Sequence, residues 1–135
     1  MEKFKFKPHT ADVKFLAYGK DLEEAFTNAA LATTAVMTED PVKSKITKNI
    51  NVEAENKEAL LYDFLEEIIF LVDTEGFLVA EAEIKITKEL KLKATLKGDN
   101  ADNYEIQTHI KSVTYHEMNI QEKDNQVIIQ VVHDI

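Results

Sequence analysis

Three places in the chain carry side chains fit for metal or proton chemistry. His9-Thr10-Ala11-Asp12 packs an imidazole, a hydroxyl and a carboxylate into four residues. Thr114-Tyr115-His116-Glu117-Met118 interrupts the strand that begins at Ile110 with hydrogen-bonding side chains, and His133-Asp134-Ile135 ends the sequence with two carboxylates close together. Carboxylate and main-chain oxygens form a hard donor set suited to Ca²⁺ or Mg²⁺. Histidine nitrogen beside carboxylate suits zinc. Spacing alone leaves both open, together with two plainer readings. Asp12 can be a turn residue bonded to its own backbone, and terminal carboxylates are often solvated and mobile. Other chemistries lack their residues: there is no HExxH pair, no phosphate-binding or dinucleotide glycine motif, and no nucleophile elbow around Ser44 or Ser112.

The elements that must position these groups follow from hydrophobic periodicity. Phe4 and Phe6 alternate with Lys3, Lys5 and Lys7, the period of a half-buried strand that Pro8 ends. Val13 to Tyr18 is a second strand, which puts the His9–Asp12 tetrad in the turn between the two, with Asp12 at the strand's edge. Asp21 with Glu24 three residues on starts a helix in the manner of a capping box. Leu22, Ala25, Phe26, Ala29, Thr33, Val36 and Met37 continue it to about Thr38, and Ala29, Ala30, Ala32 and Ala35 let another element approach closely. Ile46, Ile50, Val52 and Ala54 mark a third strand. A second helix follows Asn56-Lys57, with Ala59, Leu60, Leu61, Phe64, Leu65, Ile68, Leu71 and Val72 as its apolar set and Gly76 as its stop.

From there the period is two. Residues 78–86 and 90–96 form a hairpin, and Gly98–Asn103 reads as a polar loop, the most mobile segment. Ile110–Gln121 and Gln126–Val132 form another hairpin, whose last strand is apolar on nearly both faces and therefore belongs inside its sheet. That fixes Asp134 and Ile135 at a sheet end. Adjacent Tyr115 and His116, if regular strand residues, point to opposite faces, as a half-buried aromatic and its polar neighbour.

A chain of 135 residues with 44% hydrophobic and 30% charged residues fits a single domain spanning 1–135. Its net charge of −9 opposes general binding to a phosphate backbone; it either steers the chain to a basic partner surface or simply keeps it soluble. All 16 basic residues are lysine, so there is no arginine to clamp a phosphate. Without cysteine there is no disulfide, thiolate nucleophile or Cys-based zinc site. No signal-like or membrane-length apolar run is present, the pattern of a soluble, cytoplasmic protein.

The tetrad, the Gly19–Phe26 helix start, Glu58–Glu67, Lys111-Ser112-Val113-Thr114-Tyr115-His116 and the closing Asp134-Ile135 together resemble the archease family, small proteins that assist RtcB-type RNA ligases in tRNA splicing and RNA repair. The resemblance implies an α+β fold, a single-domain sandwich of mostly antiparallel sheet with two helices. It also implies a divalent-metal site, usually calcium, with Asp12, Asp134 and the main-chain oxygens of Ile135 as ligands. His9, Thr10, Tyr115 and His116 are then residues that orient the site or contact the partner. The implied role is not catalytic. Archeases promote guanylylation of the ligase so that it turns over repeatedly, and broaden its nucleotide choice, while the ligase supplies the catalytic histidine and uses GTP and manganese. Lys14 and Ser112 depart from the family pattern, as does His133, which leaves open whether its nitrogen joins the metal site. Two other functions compete: a small metal-dependent hydrolase using the same carboxylates to activate water, and a chaperone-like assembly module exposing the apolar stripe of the second helix.

Overall fold

The computed structural model describes residues 2–7 and 12–135. His9 and Thr10 lie outside the described residues. Along the chain run β1 (Phe4–Lys7), β2 (Asp12–Gly19), α1 (Leu22–Met37), β3 (Ile46–Glu53), α2 (Lys57–Glu75), β4 (Phe77–Ile86), β5 (Lys91–Asn100), a short 3-10 turn (Ala101–Asn103), β6 (Ser112–Lys123) and β7 (Gln126–Asp134). Among the described residues the strands form two antiparallel sheets, one ordered β1-β2-β7-β6 and the other β3-β5-β4. Each helix contacts strands of both sheets. The result is an α+β open sandwich.

Local chemistry sets the helices. The Asp21 carboxylate accepts from the Glu24 amide at 2.8 Å, and the Glu24 carboxylate accepts in turn from the Lys20 amide. These bonds satisfy donors that a helix start leaves open. Asn56 caps α2 in the same way through the Ala59 amide. Gly76 closes it in the left-handed conformation, φ 62°, which glycine adopts without a Cβ penalty.

Small side chains let α1 sit against both sheets at once. Ala25, Ala29, Ala30 and Ala32 are fully buried. Neighbouring threonines reach opposite ways: Thr33 meets His133 of β7, while the Thr34 hydroxyl donates to the Val79 carbonyl of β4 at 2.8 Å. The apolar stripe of α2 is core, with Leu60, Leu61, Phe64, Leu65 and Ile68 at 0% exposure. That removes the surface on which a chaperone-like use of this stripe depended.

The segment Gly98–Asn103 differs from its sequence reading as a mobile loop. Gly98, Asp99 and Asn100 belong to β5, and Asp99 is 4% exposed. Its carboxylate accepts from the Tyr104 hydroxyl at 2.7 Å and the Asn100 amide at 2.8 Å, and these bonds hold it below the usual carboxylate range. Side-chain bonds to a buried carboxylate order a stretch whose composition reads as loop.

Candidate functional site

β7 lies between β2 and β6, as its two-sided apolar character requires. The register places Asp12 of β2 directly opposite Asp134 of β7, and Asp134 opposite Ser112 of β6. Directly opposed residues share a face, with Cβ atoms about 4.5–5.5 Å apart. Two carboxylates and a hydroxyl thus form one row across three strands. The Lys111 amide donates to the Asp134 carbonyl at 2.8 Å, which anchors the end of β7. Ile135 follows immediately, its side chain partly buried against the core.

The neighbouring row, Val13, His133 and Val113, faces the other way. His133 is fully buried against Phe15, ring centroids 5.4 Å apart, and its Nε2 lies 2.9 Å from the Thr33 hydroxyl. Because that hydroxyl donates its single proton to the Ala29 carbonyl, it accepts here, which places the imidazole proton on Nε2. Nδ1 is buried without a hydrogen-bond partner. Burial pulls the His133 pKa down to about 4, so the ring is neutral. The question left by the sequence is answered by strand alternation: His133 points away from the face that carries Asp12 and Asp134. Among the described residues no three His, Cys, Asp or Glu side chains group as a metal cage. The donor set is two carboxylates, with the main chain of Ile135 next in sequence.

One residue pair further along the same face, Lys14 and Thr114 flank Val132. Here β6 departs from its ladder. Tyr115, His116, Glu117 and Met118 stand against Val131 alone, between the pairs Thr114–Val132 and Asn119–Gln130. Glu117 takes φ 55°, and the Gln130 side-chain amide donates to its carbonyl at 2.7 Å. The Glu117 carboxylate spans Lys14 Nζ and His116 Nε2, both at 3.0 Å. Tyr115 stacks on Tyr62 of α2, centroids 4.3 Å apart and planes 9° from parallel. Burial, with Asp63 and Tyr62 beside it, raises the Tyr115 pKa. Bulges re-aim side chains near working sites. This one lies where the sequence shows the strand interrupted, and swings Glu117 over Lys14.

The structure therefore brings Asp12, Asp134 and Ile135 to one sheet end and places Tyr115 and His116 on the adjoining bulge. Lys14, Glu117 and Ser112 belong to the same surface; Glu117 stands in the Thr114–Glu117 cluster that the sequence singles out, whereas Lys14 and Ser112 stand out there only as departures from the family pattern. The signal for Glu117 is the run of hydrogen-bonding side chains over residues 114–118; Lys14 and Ser112 reach the surface through the register of β2 and β6 with β7. A family model described as the Archease protein family (MTH1598/TM1083) matches residues 4–135. The chain belongs to the archease family. The archeases of Methanothermobacter thermautotrophicus and Sulfurisphaera tokodaii are 37% and 38% identical to it, over the full length of both chains in each case. The solution structure of Methanobacterium thermoautotrophicum protein 1598 has a TM-score of 0.83 at 34% identity and covers all of both chains. The crystal structure of a Thermotoga maritima archease, 23% identical over 96% of each chain, shares the fold at a TM-score of 0.64.

Proposed function

We propose that the chain is a non-catalytic activator of an RtcB-type RNA ligase, promoting its guanylylation and multiple turnover, and that the sheet end holding Asp12 and Asp134 is the part it presents. The single observation that carries this is the direct opposition of those two residues at the end of β2 and β7. Like charges directly opposed in a ladder are unfavourable. A divalent cation would reverse that sign. The two carboxylates and the main-chain oxygens of Ile135 are hard donors that fit Ca²⁺ better than zinc, and His133, next to Asp134 in the chain, is turned into the core. When bound, the ion would supply positive charge that joins the two strand ends into a fixed tip.

The chain's own residues do the rest. Lys14 and Glu117 brace the bulge, and Tyr115 and His116 stand exposed on it, in position to contact the ligase. His9 and Thr10, immediately before Asp12, are assigned to orienting the site or touching the partner. Family membership supports a supporting role rather than catalysis. Among the described residues no helix is long and apolar enough to cross a membrane. A cytoplasmic place beside the ligase, without sequence-specific nucleic-acid binding of its own, completes the proposal.

The test is multiple-turnover ligation by a purified RtcB-type ligase with the wild-type chain, Asp12→Ala and Asp134→Ala. We expect stimulation by the wild type and at least a tenfold loss in each variant. Full stimulation by both variants, with unchanged melting, rejects the tip. A calcium titration followed by melting temperature tests the ion separately: no rise at saturating calcium removes the metal from the proposal.

A further inference from the structure

Phe70 is 57% exposed on the outward side of α2, although its neighbours Ile68, Ile69 and Leu71 are buried. Helical spacing places Asp63, Glu66 and Glu67 within the two turns before it and Asp73 one turn after it. α2 has no basic residue after Lys57. Among the described residues no cation pairs with Asp63, Glu67 or Asp73. At the other end of this face Tyr115, 55% exposed, lies flat on Tyr62. The surface is therefore an aromatic centre with a carboxylate rim, the anatomy of an interface in which a buried anchor is ringed by polar groups.

It is also continuous with the tip. The Glu66 carboxylate accepts from the Val113 amide at 3.2 Å, and Val113 adjoins Ser112, which stands opposite Asp134. Charge selects the occupant. A second copy docking by the same face would set carboxylate against carboxylate, and a phosphate backbone is repelled. A lysine- or arginine-rich protein surface with an apolar notch both neutralises the rim and covers the ring.

We propose that the outward face of α2, with Phe70 as anchor and Tyr115 as flank, docks a basic protein surface and extends the contact made by the tip. This rests on the reading of the chain as a ligase activator. The experiment compares wild type, Phe70→Ser and the double variant Glu67→Lys/Asp73→Lys for binding to purified RtcB-type ligase at low and high salt. Multiple turnover is measured in parallel and circular dichroism confirms folding. We expect Phe70→Ser to weaken binding about tenfold or more, and the charge-reversed variant to weaken it and flatten its salt dependence. Wild-type binding by both variants, while the wild type still activates, overturns the docking face and leaves the activator reading standing. A wild-type chain that neither binds nor activates overturns that reading, and the docking face with it. Self-association or RNA binding that Phe70→Ser abolishes also overturns the assignment, since the occupant is then not a basic protein.

Discussion

A histidine held neutral inside a core links stability to pH, and the sign follows from its burial. The folded pKa of His133, about 4, lies below the ordinary value of 6.5, so the unfolded chain binds the proton more readily. Its cost is absent above pH 6.5, grows as pH falls through that value, and is complete near pH 4, where it reaches about 3 kcal/mol. Urea unfolding of wild type and His133→Phe at pH 7 and pH 4.5 should show the gap between the two proteins shift by about 2 kcal/mol in favour of the variant. An unchanged gap shows that His133 does not carry the acid sensitivity. Beside it, Asp134→Asn tests the opposed carboxylates. In chelator this variant should gain about 0.2–1 kcal/mol from relief of like-charge opposition. In saturating calcium it should fall below the wild type. That Asp12 and Asp134 lie at strand ends was legible because the hydrophobic alternation bounds β2 and β7 there. The orientation of His133 was not, because alternation assigns faces only once the register of β7 is known.

Elements were legible where one period governs a whole segment. Both caps, the αL stop at Gly76 and the interior place of β7 follow from local pattern. The bulge at residues 115–118 does not, because its shape depends on Gln130, Lys14 and Tyr62, each distant in sequence. Asp99 misled in the same way, since its partners Tyr104 and Asn103 turn a polar run into ordered strand end. β5 runs close against the β4 backbone at Gly98. A Cβ there would sit 1.8 Å from the Leu78 carbonyl oxygen, backbone that a rotamer change cannot move. Gly98→Ala should therefore destabilise the protein by at least ~2 kcal/mol, read as a fall in urea midpoint with little change in slope. A midpoint like that of the wild type means β4 moves aside freely at its irregularity between Val79 and Glu81.

At the scale of the whole molecule, charge sets the kind of encounter the protein makes. With 25 acidic residues against 16 basic ones, long-range attraction to a basic surface should raise the association rate far more than it slows dissociation. Raising salt from about 50 mM to 500 mM should slow association with the ligase roughly tenfold, as the Debye length shrinks below the spacing of the interacting charges. A rate that ignores salt assigns the contact to apolar burial alone. Net charge is legible from composition; that the face of α2 carrying Asp63, Glu67 and Asp73 adjoins the tip required the fold.

The strand order β1-β2-β7-β6 has a kinetic consequence. β2 lies far from its main ladder partner in sequence: apart from the four-residue β1 it pairs with β7, and both helices and four strands lie between them in the chain. The pairing closes a loop of nearly the full chain length, so sheet formation carries a high contact order and belongs in roughly the millisecond-to-second range of folding. On the ribosome, the second sheet and both helices can precede it. The sheet that carries Asp12 and Asp134 then forms through the slower, long-range pairing of β2 with β7.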